Sequence, residues 1–368
     1  MNDLFLSEPD LDEQGSAIDN EIEYQPDFTE NGRDLWEHYR MEVEKGQVLL
    51  RIDKYLADRI PGTSRNRIQN AAEAECIRVN GRAVKNNYRV KPGDLITIVM
   101  DRPRYENEII PEDIPLNIVY EDEELMVVNK PAGLVVHPGH GNYSGTLVNA
   151  LAWHFRDNPL YDVSDPRLGL VHRIDKDTSG LLVIAKTPRA KTSLGGQFFN
   201  KTTTRQYIAM VWGEMKEPSG TVTGNIGRNP KDRLQMCVFA DGEQGKHAVT
   251  HYTTLENLSH VAVVRCQRET GRTHQIRVHR RHIGHPLFND ARYGGDKVLR
   301  GVNSSAYRQF VAHCMEICPR QALHAKTLGF THPATGEMMH FDSELPPDMA
   351  ALIEKWREYT ASRAAKTE

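Results

Sequence analysis

The run Leu170-Val171-His172-Arg173-Ile174-Asp175-Lys176-Asp177-Thr178-Ser179-Gly180-Leu181-Leu182-Val183-Ile184-Ala185-Lys186 decides how this chain is read. A charged loop passes directly into an apolar run of strand length. Polar loops held at the end of a rigid sheet are favoured positions for catalytic groups. Asp175 and Asp177 alternate with Lys176, so the two carboxylates need not converge on one site. Arg173 and Lys176 favour the ionised form of a carboxylate between them. An ionised carboxylate can act as nucleophile or base without a cofactor. From these residues alone a second reading stands beside the catalytic one, in which Asp177 or Thr178 caps a helix.

Working outward, residues 116–345 alternate short apolar strands with turns and a few helices. Strands are expected at 126–129, 181–186, 207–212, 262–267 and 322–330. Helices are expected at 146–155 and at 189–200, the latter behind Thr187-Pro188. The absence of a steady βαβ alternation predicts an α+β fold with a mixed, mainly antiparallel sheet and flanking helices.

Upstream, residues 49–100 read as a small module. Helical spacing at Ile52, Tyr55, Leu56 and Ile60 ends at Pro61-Gly62. Ser64 is placed to cap a second helix. That helix carries Arg65 and Arg67 in its first turn, where the macrodipole disfavours cations; both are read as facing a phosphate backbone. Strand, tight turn at Asn80-Gly81 and return strand follow, then Lys91-Pro92-Gly93-Asp94 and a last strand at 95–99. This order resembles the S4 RNA-binding domain, a small α/β module whose helix pair meets structured RNA. That resemblance implies RNA as the partner, with Arg65 and Arg67 as contacts.

Composition bounds the rest. With 39% hydrophobic and 26% charged residues, the chain has the balance of a soluble globular protein. No apolar run approaches a membrane span. The acidic start lacks the basic, apolar character of a secretory signal, so a cytoplasmic location is expected. Five scattered cysteines do not form a disulfide framework. The net charge of -4 hides an asymmetry: residues 1–45 carry 14 acids and 3 bases, and the remainder has a surplus of 7 bases. The acidic segment is expected to be disordered, apart from a short helix near Trp36. The basic remainder suits a polyanion, although charge alone leaves an ordinary solvated surface equally open.

Four separated segments bear on the chemistry together. His172-Arg173-Ile174-Asp175, followed by Thr178-Ser179-Gly180-Leu181-Leu182, resembles the catalytic signature of the RluA-type pseudouridine synthases. Asn129-Lys130-Pro131-Ala132-Gly133, Arg205-Gln206-Tyr207-Ile208-Ala209 and Thr270-Gly271-Arg272-Thr273-His274-Gln275-Ile276-Arg277 resemble that family's other segments, in the same order. His137-Pro138-Gly139 and Pro346-Pro347-Asp348-Met349 point to its RluD-like branch, with an RluC-like assignment close behind.

The resemblance implies a pseudouridine synthase fold with an S4 domain, and an isomerase acting on RNA, most directly large-subunit ribosomal RNA. Transfer RNA is the alternative substrate, and a non-catalytic RNA-binding protein or an N-glycosidic hydrolase are the competing functions. It implies Asp175 as the catalytic carboxylate, Tyr207 packed against the target uracil, and Arg277 paired with Asp175. Arg173, Arg272 and His274 are implied RNA contacts. Lys130 and His137 are read as shaping the fold. Alone, Tyr207 would pass for a buried strand tyrosine and Arg277 for an exposed helix arginine.

The expected domains are an acidic tail over 1–45, an S4-like domain over 46–105, a linker over 106–115, a catalytic domain over 116–350 and a charged helical tail over 351–368. No cofactor is expected, because isomerisation needs neither redox carrier nor energy source, and a monomer is expected. Metal is not expected either: Arg280 and Arg281 lie among His279, His282 and His285 and would repel a cation, and Cys314 and Cys318 have no second pair at zinc spacing.

Overall fold

The computed structural model describes residues 28–30, 33–60, 63–100, 109–138, 142, 144–158, 168–232, 234–239, 242 and 244–365. The chain divides into two units, the first ending at Glu108 and the second beginning at Ile109.

In the first unit, β1 (Phe28–Glu30) and β2 (Arg33–Glu42) precede the helices α1 (Ile52–Ala57) and α2 (Arg65–Glu73). The short strands β3 (Ile77–Val79) and β4 (Arg82–Ala83) and the longer β5 (Leu95–Met100) complete it. The strand order is β1-β2-β5-β3-β4. Ser64 caps α2 by accepting from the Arg67 amide at 3.4 Å. Ile52, Leu56 and Ile68 from the helix pair bury against Ile77, Ile96 and Ile98 of the sheet. Arg65 donates to Asp53 at 3.1 Å, and Arg51 and Gln69 meet the same carboxylate. The cost of a cation in the first turn is therefore offset inside the unit, so no external phosphate is needed to explain Arg65.

The expected disorder and helix near Trp36 are corrected here. Residues 33–42 form β2, paired antiparallel with β5. Tyr39 and Met41, two apart and hence on one face, pack on the core. The charged residues between them obscured this period-two signal. The rest of the expected tail, 1–27, lies outside the described residues.

The second unit is built on one large sheet. Its strands are β6 (Ile118–Glu121), β7 (Leu125–Lys130), β8 (Ser179–Ala185), β9 (Thr204–Trp212) and β10 (Ser219–Arg228). These are followed by β11 (Met236–Phe239), β12 (Lys246–Leu258), β13 (Val261–Arg268), β14 (Leu323–Thr331) and β15 (Met338–Asp342). The order is β11-β10-β12-β13-β9-β14-β8-β7-β6, with β15 also on β14. Among the described residues every pairing is antiparallel except β14 with β8. The sheet is mixed and mainly antiparallel, as the sequence predicts.

Helices cover both faces, which is why β8 is buried along its whole length. On one face, Leu147, Val148 and Leu151 of α3 (Leu147–His154) pack with Leu182, Tyr207, Ala209 and Val264, and Ile276 of α5 (Gln275–His282) joins them. On the other face lie α4 (Pro188–Phe199), α6 (Ser305–Ile317) and α7 (Pro347–Ala364). Trp356 and Leu352 of α7 sit in a core with Trp212 and Phe288. The C-terminal tail expected from 351 is helical, as the body of α7, but Leu352, Ile353 and Trp356 bury a stripe of it on the sheet while 357–365 stay exposed or half-buried. The expected linker is also displaced: Ile109 packs on the core, and the Ile110 carbonyl accepts from Asn149 at 2.9 Å. Residues 101–108 lie outside the described residues.

The parallel contact positions the site. His324 and Ala325 register with Ser179 and Gly180, at the point where the charged loop enters β8. Gly180 has φ +120°, and a Cβ there would lie 2.2 Å from the Ala325 carbonyl oxygen. Only glycine allows the two backbones so close.

Candidate active site

The loop before β8 is anchored through its backbone. The Thr178 amide returns to the Asp175 carbonyl at 3.1 Å, and the Lys176 carbonyl accepts from the Gly133 amide at 3.0 Å. Lys130, only 1% exposed, donates to the carbonyls of Pro131, Leu134 and Lys176, each at 2.7 Å. From the other side, Arg320 donates to the Asp177 carbonyl at 2.8 Å while its fork grips Asp348 at 2.7 and 3.0 Å. Burial alone would raise the Asp348 pKa, but the Arg320 hydrogen bond and charge outweigh it and hold the carboxyl below its usual range. Ser179 then opens a strand, so neither Asp177 nor Thr178 caps a helix.

Asp175 meets Arg277 across 102 positions of sequence, at 3.1 Å. Arg277 lies in the first turn of α5 and is 3% exposed, which excludes the exposed-arginine reading. Its remaining N–H groups make a fork on buried Asp290, at 2.9 and 3.0 Å. Bidentate pairing fixes a guanidinium in plane and direction. Asp290 therefore aims the third donor of Arg277 at Asp175.

The segment before α5 is shaped by hydrogen bonds. Thr270 Oγ1 donates to Gln275 Oε1 at 2.7 Å, and the Gln275 amide group reaches the Val249 carbonyl at 2.9 Å. His274 takes a left-handed backbone, φ 53°, and its Nδ1 lies 2.7 Å from the Tyr293 hydroxyl. A non-glycine residue held there marks a site under constraint.

Asp175, Thr178, Tyr207, Arg268, His274 and Arg277 line one cleft. Tyr207 is a buried strand residue, yet one that faces this cleft. Arg268 donates to its hydroxyl and places its guanidinium carbon 4.6 Å from the ring centroid.

Of the residues expected from sequence, Asp175, Tyr207, Arg277 and His274 are therefore brought together. Arg173 is exposed on the loop and does not line the cleft. Arg272 lies one turn away, with Nε on the His247 carbonyl at 3.1 Å. Arg65 and Arg67 belong to the first unit. Asp290, Arg268 and Arg320 were not expected, because each acts through a partner distant in sequence and none stands in a local pattern. Only Arg320, within Arg320-Gln321-Ala322-Leu323-His324-Ala325, falls in a segment that the resemblance marks.

The described residues contain no group of three or more His, Cys, Asp or Glu placed to hold a metal ion. His279 turns inward to Thr250 Oγ1 at 3.0 Å, and His285 turns to the Trp212 carbonyl at 2.8 Å. Cys314 and Cys318 lie buried in the core with Trp356, where burial pushes both thiols up to about 12.

Comparison with known proteins gives the family. The family model for RNA pseudouridylate synthase matches residues 124–282, and that for the S4 domain matches residues 50–96. An RNA pseudouridine synthase of Chlorobaculum parvum is 46% identical over 327 residues, covering 88% of this chain and 99% of that protein. Ribosomal large subunit pseudouridine synthase D of Nitrosomonas europaea is 42% identical over 317 residues, covering 86% of this chain and 87% of that protein. Among solved structures, human RNA pseudouridylate synthase domain containing 4 has a TM-score of 0.50 at 23% identity, covering 66% of this chain and 93% of that one, and it speaks for the fold. The matched region holds the Asp175 loop, the Tyr207 strand and the Arg277 helix, and the likeness to the bacterial relatives runs nearly end to end, so this chain belongs to the RNA pseudouridine synthase family.

Proposed function

We propose that this enzyme converts specific uridines of large-subunit ribosomal RNA to pseudouridine, with Asp175 as the catalytic carboxylate. The observation that carries the assignment of Asp175 is its 3.1 Å pair with Arg277, inside the cleft that Tyr207 lines. The substrate class is supported by relatives named ribosomal large subunit pseudouridine synthase D at 42–44% identity.

In this reading the target uridine leaves its stack and its uracil packs against Tyr207, an aromatic face suited to an unstacked base. Asp175 acts on the nucleotide so that the bond from N1 to the sugar breaks. The uracil turns, rejoins the sugar through C5, loses the C5 proton and takes one up at N1. Arg277 orients Asp175 and sets a positive charge beside it. Reactant and product contain the same atoms, so the reaction consumes no co-substrate. The S4 domain over 50–96 supports RNA binding, and Arg67 on α2, Arg65, Arg173 and Arg272 are the proposed charged contacts. The proposed place of action is the cytoplasm; no described helix is long and apolar enough to cross a membrane.

The test is Asp175→Ala, assayed on ribosomal RNA for pseudouridine and for free uracil. Loss of pseudouridine, with no free uracil released by wild type or variant, in a protein that still binds RNA, is the expected result. Pseudouridine formed by the variant would overturn the role of Asp175. Pseudouridines mapped in a deletion strain test the substrate: sites lost from transfer RNA, with ribosomal RNA unchanged, would overturn it.

A further inference from the structure

Among the described residues, two arginines beside the cleft remain without acidic partners once its ion pairs are drawn. The charge of Arg277 is shared between Asp175 and Asp290. Arg205 is 7% exposed, and among the described residues its guanidinium has no hydrogen bond or ion pair and its Nε is buried without an acceptor. Arg268 bonds the Tyr207 hydroxyl, and its Nε is likewise buried without an acceptor.

The sheet forces the two together. β9 and β13 pair as Cys266 with Tyr207 and Gln267 with Gln206, so the next position of that register sets Arg268 opposite Arg205. Like charges directly across a strand pair repel. Arg268 lines the cleft with Tyr207, and Arg205 lies outside that lining, close to Arg268 and to Phe198 of α4. Burial first, and then the neighbouring Arg268, lower the affinity of Arg205 for its proton. The nearby His172 gives no relief: its Nε2 accepts from the Val183 amide at 3.0 Å, and burial holds it neutral.

Stacking of Arg205 on Phe198, at 5.0 Å, and of Arg268 on Tyr207 recovers part of the cost. It does not supply the missing negative charge. Beside Arg205 lies Gly271, where an added Cβ would stand 3.8 Å from one guanidinium nitrogen; the absence of a side chain leaves that approach open. A buried cation without a counter-ion is costly, and a phosphate oxygen is the acceptor that a pair of guanidinium forks fits best.

We propose that Arg205 and Arg268 clamp one backbone phosphate of the RNA, immediately beside the target uridine. The inference rests on the RNA isomerase reading above. The clamp reads no base. It holds the strand so that the displaced uridine stays over Tyr207, and it returns to the two arginines the anion their strand pairing lacks.

The test begins with the wild-type enzyme and the uridine it modifies. If the wild-type protein makes no pseudouridine, the function reading fails and not this one. With the uridine mapped, short RNAs carrying it are made with a neutral methylphosphonate in place of the phosphate on its 5′ or 3′ side. Wild-type protein should bind one of the two roughly tenfold more weakly, and the slope of log affinity against log salt should fall by about 1. Arg268→Gln and Arg205→Gln should bind that RNA and the native RNA alike, and Arg205→Lys should recover part of the difference. Equal binding of native and both neutral RNAs by the wild-type protein overturns the proposal, and this arm needs no variant to fold. Variants that melt earlier but keep the wild-type KM and salt slope also overturn it, since Arg205 and Arg268 would then act on the fold alone.

Discussion

Asp290 grips Arg277 with both carboxylate oxygens, at 2.9 and 3.0 Å, while Arg277 reaches Asp175 at 3.1 Å with its remaining terminal nitrogen. Asp290 touches no substrate in the proposed chemistry and acts by fixing the direction of Arg277. In Asp290→Ala the guanidinium loses both anchors and swings from Asp175. We expect kcat to fall roughly 10- to 100-fold, as loss of charged hydrogen bonds implies, with KM changing far less. Stability should drop by about 3 kcal/mol, because a buried cation has lost its buried partner. Single-turnover kinetics and chemical denaturation check both. Unchanged kcat in a destabilised variant would show that Asp290 serves the fold alone.

Lys130→Met tests the anchoring of the loop. Methionine fills a similar volume but leaves the carbonyls of Pro131, Leu134 and Lys176 without the donor they share. The Lys176 carbonyl keeps the Gly133 amide, while the part-buried carbonyls of Pro131 and Leu134 lose this donor, which implies a stability loss of about 2 kcal/mol. The specific signature is local: the Thr178 amide, bonded to the Asp175 carbonyl, should exchange its proton faster relative to the sheet. Uniform destabilisation without that local change would count against the anchoring role.

Asp53 makes the first unit sensitive to acid. Burial raises its pKa, but Gln69, Arg51 and Arg65 outweigh burial and bring it to about 2. The folded value lies below the unfolded one, near 4. The stability it contributes is therefore present above about pH 4 and is lost as pH falls from there through 2, on the order of 2 kcal/mol in all. Amide exchange over residues 52–73 in the full chain, corrected for intrinsic rate, should reveal this loss. Asp53→Asn should flatten the dependence, and a variant with the wild-type profile would refute the assignment.

Elements that bury themselves were legible in the sequence; elements that depend on a distant partner were not. β8 announced itself through unbroken apolar residues, since both its faces are covered. The start of α3 announced itself through Thr146, which with Asn149 forms a reciprocal cap. β2 was missed, since its charged residues speak for solvent until β5 is placed beside it. In the site, residue chemistry alone left Asp175 between catalyst and cap, and family resemblance supplied Arg277 as its partner. Nothing local could supply Asp290 or Arg268: their roles exist only once the end of α5 and the loop after it, or a strand register, bring them to Arg277 and Tyr207.

His324 should make the catalytic unit lose stability before its carboxylates titrate. It is buried on β14, with Nδ1 at 2.9 Å from Ser179 Oγ and Nε2 at 2.9 Å from Ser343 Oγ. A neutral imidazole, one nitrogen donating and one accepting, satisfies both hydroxyls. Burial, then Arg320 and Lys326, push its pKa down to about 4, against about 6.5 unfolded. The unfolded state therefore binds the proton first. Stability from neutral His324 is fully present above about pH 6.5 and is lost as pH falls toward 4, by as much as about 3 kcal/mol. Ser179 directly follows the loop that carries Asp175, so loosening there should lower kcat over the same window. Denaturation midpoints and single-turnover rates measured across that range should decline together in the wild-type protein. In His324→Gln, which cannot take up the proton, the slope of stability against pH should become shallower. An identical slope in both proteins would place the acid sensitivity elsewhere, with His279, also brought to about 4 by burial, the next residue to substitute.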